Sequence, residues 1–185
     1  MPSLVGSEMC IRDRDETTRN ILSVLVLDVD GIITRVTALF TRRGYNLVSL
    51  VSAKTETEGI NRLTIVVDAS EYAIEQITKQ LNKLIQVLKV LRLEDDQTIA
   101  RSLLLVKVNA TNQTRAQVVE TANIFRARVV DVSPESVVIE ATGTPEKLRA
   151  FLDVIETFGI REMVRSGQVA LNRGSKTLAP SKKNN

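Results

Sequence analysis

Apolar and polar positions along the chain trace six segments, and the same six-part pattern then recurs. The run ILSVLVL (Ile21–Leu27) is nearly continuous in aliphatic residues and of strand length, the pattern of a central strand. Asp28-Val29-Asp30-Gly31 interrupts it. Ile32, Ile33, Val36, Leu39 and Phe40 follow at spacings that share one face of a helix. Arg42 and Arg43 suit the dipole of its last turn, and Gly44 supplies a left-handed stop. Asn46–Ala53 and Ile60–Val67 predict two antiparallel strands around a polar Lys54–Gly59 turn. Ser70 caps a second helix buried through Ile74, Ile77, Leu81 and Leu84, and Val87–Leu93 closes the unit as a strand.

The second copy opens with LLLVKVNA (Leu103–Ala110) and a helix carrying Val118, Val119, Ala122 and Phe125. Strands at Ala127–Ser133 and Ser136–Thr142 flank a tight Ser133–Glu135 turn. Thr144, Pro145 and Glu146 combine a cap, a proline at the first helical position and an early acid. Leu148, Phe151, Leu152 and Ile155 form the buried stripe, Gly159 ends the helix, and Ile160–Leu171 supplies a final strand or strands. Each copy reads β-α-β-β-α-β. The expected fold class is therefore α+β, with two tandem ferredoxin-like modules whose sheets are covered by helices on one face. Residues 21–94 form the first module, 95–101 a polar linker and 102–172 the second, with a disordered basic tail at 173–185. A single module of this size buries a small core, so an edge strand or open sheet face is expected to pack on a second copy.

Composition narrows the chemistry. The chain has no His and no Trp, and aromatic residues make up 3% of it. That removes imidazole catalysis, His-containing zinc sites and a base-stacking surface. The single Cys, Cys10, cannot form an internal disulfide, which fits a reducing compartment. Residues 1–20 fit no periodic template. They are too acidic for a transit peptide, and SLVGSEMCIRDR resembles translated adaptor sequence, so a disordered, non-native leader is expected. Residues 1–20 carry a charge of −1 and the tail from Asn172 carries +4, so the net charge of +3 leaves a neutral body from Ile21 to Leu171. Nucleic-acid binding is not expected on that balance. No apolar run reaches membrane-spanning length.

The interruption after the first strand is the leading candidate site. A turn from a strand into a helix N-terminus offers unpaired N–H groups and a favourable dipole to an anion. Gly31 permits close backbone approach, Asp28 suits an ammonium, Ile32 and Ile33 offer apolar contact, and Asn46 brings a donor and an acceptor. Together these could hold an α-amino acid. The plainer alternative makes Asp30 a helix cap, Gly31 a turn residue and Asn46 a strand-end polar group. Arg42–Arg43, Arg126 with Arg128, and Arg161 with Arg165 read first as solvated or salt-bridged surface. The sequons at Asn109 and Asn112 are incidental, and Glu94-Asp95-Asp96 reads as linker rather than metal site. Nothing nominates a catalytic residue.

ILSVLVLDVDGIITRVTALFTRRGYNLVSL, INRLTIVV, EQITKQLNKLIQVLKV, IFRARVVDV and FGIREMVRSGQVAL, collinear over residues 21–173, resemble the regulatory small subunit of acetohydroxyacid synthase (acetolactate synthase). The resemblance implies an N-terminal ACT domain and a non-catalytic role. The partner would be a large catalytic subunit holding thiamine diphosphate, Mg²⁺ and FAD, with no cofactor on this chain. It further implies activation of that subunit, feedback inhibition by valine or another branched-chain amino acid, and a homodimer formed through the ACT domain. The effector site would lie at the dimer interface, on Asp28, Gly31, Ile32, Ile33 and Asn46. The compartment would be the bacterial cytoplasm or the plastid stroma. Leu27, Asp30 and Val48 depart from the family's usual residues and border that pocket. A stand-alone amino-acid sensor remains the alternative; no helix-turn-helix supports direct DNA control, no RNP-like aromatics support RNA binding, and no motif supports an acylphosphatase-like hydrolase.

Overall fold

The computed structural model describes residues 17–180. Its first unit follows the expected order: β1 (Thr18–Leu27), α1 (Ile32–Arg42), β2 (Asn46–Lys54), β3 (Ile60–Ala69), α2 (Glu71–Lys83) and β4 (Val87–Leu93). The strands form one antiparallel sheet in the order β2-β3-β1-β4. The continuous aliphatic run has its physical cause here. Every residue from Ile21 to Val26 is buried, and Leu22, Val24 and Val26 join Leu63, Ile65 and Val67 under the helices. Val36 and Phe40 of α1 and Ile74, Ile77 and Leu81 of α2 close that core. Gly44 stops α1 with φ +68°, while Tyr45 donates back to the Phe40 carbonyl at 3.1 Å. Ser70 caps α2 by accepting from the Ala73 amide at 3.3 Å.

The second unit contains β5 (Thr98–Asn109), α3 (Arg115–Ile124), β6 (Arg128–Val132), β7 (Ser136–Gly143), α4 (Pro145–Ile155) and β8 (Ile160–Arg165). Its sheet order, β6-β7-β5-β8, repeats that of the first, with β9 (Val169–Asn172) added alongside β5. Val106, Val108, Val137, Ile139, Leu148 and Ile155 build the core. Phe125 meets Phe151 edge to face, with ring centroids 5.4 Å apart. Thr144 caps α4, accepting from the Lys147 amide at 3.3 Å, with Pro145 at the helix start. Both halves are thus ferredoxin-like α+β modules.

Three boundaries differ from expectation. β1 begins at Thr18, so Thr18–Asn20 belong to the sheet rather than to a disordered leader. Asn20 is buried there and donates to the carbonyls of Thr18 and Ala69. Residues 1–16 of the expected leader lie outside the described residues. The expected linker 95–101 is a short 3₁₀ turn, Asp95–Gln97, running directly into β5. Polarity marked the break but could not show how few residues it takes. Of the expected tail, Arg173 donates its amide to the Gln97 carbonyl at 2.8 Å, and Leu178 is buried. A single leucine in a polar, basic stretch gives no periodicity from which such docking could be read. Among the described residues, the chain from Leu171 onward belongs with the first compact unit and Ile99–Ala170 forms the second.

Candidate functional site

The first unit leaves its strand-to-helix turn open. The Leu27 amide donates to Gln86 O and the Asp28 amide to Gly59 O, each at 2.9 Å, which anchors the end of β1 between its neighbours. Val29 then donates back to Leu27 O at 3.0 Å, and the chain turns through Gly31 at φ +76°. Gly31, not Asp30, is the N-cap of α1, and no side chain caps the helix. The plain reading of Asp30 as a cap therefore fails: Gly31 takes the N-cap position in the left-handed conformation. No heavy atom lies within 4 Å of where a Gly31 Cβ would sit. The Ile32 amide turns back to Val29 O and the Arg35 amide to Gly31 O, while those of Ile33 and Thr34 find no acceptor among the described residues. With no acid in the first helical turn, this N-terminus presents uncommitted donors and a positive dipole end to solvent.

The nominated side chains divide. Asp28 is exposed at the turn, and its Oδ1 accepts from Asn61 Nδ2 at 2.8 Å, while Oδ2 has no hydrogen-bond partner among the described residues. Ile33 is 44% exposed beside the free amides and can offer an apolar contact. Ile32 cannot: it is 5% exposed and packs in the core, because adjacent residues on a helix point about 100° apart and only one of the two faces the sheet. Asn46 is not brought to the turn at all. It pairs with Asp68, which pairs in turn with Arg19 near the start of β1. Eight residues of β1 separate that row from Leu27, about 26 Å at ~3.3 Å per residue. Within one chain, then, Asp28, Gly31 and Ile33 stand at one end of the sheet and Asn46 at the other.

Three neighbours escaped the sequence reading. Asn61 holds Asp28, and the signal was its place two residues beyond Gly59 at the opening of the paired strand. Asp68 lies opposite Asn46, and Arg19 grips Asp68 through Nε and Nη2 at 2.9 and 3.0 Å. Strand pairing brings those two together across 49 residues of sequence, so spacing alone could not reveal them. The Arg19 guanidinium holds the Asp68 carboxyl below the usual carboxylate range. Val48, an expected departure near the pocket, sits at the register shift of β2 and is 40% exposed.

The other charged groups behave as surface. Arg128 pairs with Glu140 at 2.8 Å, and Arg161 bonds Asn109 and faces Glu135 at 3.7 Å. Among the described residues no cluster of three or more His, Cys, Asp or Glu could hold a metal, and no helix is long and apolar enough to cross a membrane.

Two family models match the chain. Residues 22–89 match the ACT domain of acetohydroxyacid synthase small subunits, and residues 101–174 match the small subunit of acetolactate synthase. The acetolactate synthase small subunit of Mycolicibacterium smegmatis is 51% identical over 166 residues, covering 90% of this chain and 98% of that one. Its counterpart from Mycobacterium bovis is 52% identical over 161 residues, covering 87% and 96%. Among solved structures, the acetolactate synthase small subunit of Thermotoga maritima aligns with a TM-score of 0.80 at 34% identity, over 86% of this chain and 99% of that one. A relative more than half identical and matched over nearly its whole length, together with a shared fold, settles descent: the chain belongs to the family of acetolactate synthase small subunits.

Proposed function

We propose that this protein is the non-catalytic regulatory subunit of an acetolactate synthase. It would activate a large catalytic subunit that carries thiamine diphosphate, Mg²⁺ and FAD, and it would confer feedback inhibition by valine or a related branched-chain amino acid. The observation that carries this reading is the end-to-end match to small subunits of that enzyme. The bacterial relatives fit work in the bacterial cytoplasm.

The proposed effector site is the open turn. An effector carboxylate would sit on the Ile33 and Thr34 amides, its ammonium against the free oxygen of Asp28, and its branched side chain beside Ile33. Asn46 reaches that ligand only from a second copy of the chain. The topology supports such a closure: β2 is an edge strand, and in an antiparallel two-fold pairing of two β2 edges the Asn46 end of one meets the Lys54 end of the other. Lys54 pairs with Asn61 at the same end of the sheet as the Asp28 turn. The homodimer through the ACT domain would thus complete the site. A ligand bridging two copies stabilises one arrangement of subunits over another, and that differential affinity is what regulation requires.

Mixing the chain with its cognate large subunit and assaying acetolactate formation, with and without valine, tests this. The chain alone gives no turnover, the mixture exceeds the large subunit alone, and valine lowers the mixture's rate. A large subunit unaffected by the chain would remove the assignment.

A further inference from the structure

Resting on the effector site proposed above, we propose that Asp68, clamped by Arg19, is a positioning residue: it fixes which end of the Asn46 amide faces the effector and makes that position a reader of the protonated amino group. Arg19, Asp68 and Asn46 occupy directly paired positions on β1, β3 and β2, so their side chains form one row across one face of the sheet. Arg19 takes one lone pair on each Asp68 oxygen. The carboxylate retains acceptor capacity toward Asn46 on its other side.

An ionised carboxylate only accepts, so the Asn46 amide must approach it through Nδ2; the opposite orientation would set two oxygen acceptors against each other. Arg19 keeps Asp68 ionised, and the Asn46 amide adds to the same lowering of its pKa. Asn46 is exposed, and the constraint leaves its Oδ1 as the outward group. A carbonyl oxygen bonds an ammonium and repels a carboxylate. Arg19 stands two strands away from Asn46, with Nε and Nη2 turned to Asp68. The arrangement also complements the other half of the site, where the Ile33 and Thr34 amides are donors suited to the carboxylate end. Donors on one protomer and an oriented acceptor on the other give a zwitterion a single polarity.

The test is calorimetry on the full chain with valine, leucine and isoleucine, and with 3-methylbutanoate, which keeps the carboxylate and branched tail of valine but lacks its amino group. An exposed ion pair adds little to folding, so Asp68→Ala and Arg19→Gln are expected to retain the wild-type circular dichroism spectrum. Asp68→Ala lowers valine affinity about tenfold, the scale of a hydrogen bond to a charged group. It leaves 3-methylbutanoate, measured by displacement, within about twofold, so selectivity for the amino group narrows about tenfold to what Asp28 supplies. Arg19→Gln shifts selectivity the same way, and Asn46→Ala with Asp68→Ala is no worse than Asn46→Ala alone, because Asp68 acts through Asn46. An unchanged preference for valine in Asp68→Ala, or additive losses in the double variant, overturns the positioning role while leaving the effector site standing. A wild-type chain that binds none of the three amino acids overturns the site itself and this inference with it.

Discussion

The two modules end their first strands alike and then part. In the first, Leu27 and Asp28 donate to Gln86 and Gly59; in the second, Asn109 and Ala110 donate to Gly159 and Glu135, all four bonds at 2.9 Å. From the next residue onward the first chain turns through a bare glycine with no side-chain cap. The second turns without a glycine. The Thr111 amide donates to Thr114 Oγ1 at 3.0 Å, the two hydroxyls meet at 3.2 Å, and Arg115 reaches the carbonyls of Ser133 and Pro134. Its helix too has no side-chain cap, and the Ala116 and Gln117 amides find no acceptor among the described residues, as with Ile33 and Thr34. What differs is the side chains set at the turn: Thr111, Thr114 and Arg115 in the second, a bare glycine beside exposed Asp28 and Ile33 in the first.

The largest effect expected from probing this contrast separates two adjacent isoleucines. Ile32→Ala removes a core anchor of the open turn and should destabilise the first unit by about 2–5 kcal/mol, read by hydrogen exchange at β1 and α1 amides. Ile33→Ala should stay within about 0.5 kcal/mol, yet weaken valine binding. If both behave as core, the turn has no apolar face to offer a ligand. Gly31→Asp comes next. Aspartate tolerates the left-handed conformation at a cost of about 1 kcal/mol, and there is room for its side chain. Its carboxylate would bond the amides and dipole end intended for the effector, and calorimetry should show valine affinity down about a hundredfold. An unchanged isotherm would strip the turn of its role. Thr114→Ala, which removes the acceptor of the Thr111 amide in the corresponding turn, should cost the second unit about 1 kcal/mol of stability by denaturant titration and leave valine binding untouched.

Most of this fold could be read from periodicity, because burial leaves a rhythm. The nearly continuous aliphatic run of β1, the helical stripe through Val36 and Phe40, and the caps at Ser70 and Thr144 are each local signals with a local cause. The open turn was also legible, since Gly31 marks a position where only glycine passes cheaply. The rest of the site was not. Asn61 reaches Asp28 across 33 residues, and Arg19 reaches Asp68 across 49, so their meaning depends on strand register. Arg19 lay in a segment whose polarity resembled a leader, while Thr18–Asn20 are held as strand by pairing with Val67–Ala69. Asn46 was grouped with Asp28 for its donor and acceptor and by family position, and the topology puts it at the far end of the sheet, where only the proposed second copy would reunite the two.

The smallest effect concerns acid, and it marks one carboxylate in each module. Asp68 is held below the usual carboxylate range by its hydrogen bonds to Arg19, and Glu146 by its own backbone amide and the Thr144 hydroxyl. Both pKa values are lowered by folding, so each carboxylate stabilises the folded state above the unfolded pKa. That contribution is lost as pH falls through the lower folded value. Stability attributable to these two groups should be level from neutrality down to the ordinary carboxylate range and decline only below it. Both are well solvated, which keeps the effect small. Carboxyl titration followed by NMR should show both midpoints below those of unperturbed side chains. Asp68→Asn should flatten the acid decline in the first module only, and Glu146→Gln in the second only. The same Asp68 variant should loosen amino-group selectivity at neutral pH, whereas Glu146→Gln should not. An acidic residue that merely steadies its module is thereby separated from one that also orients a neighbour toward a ligand.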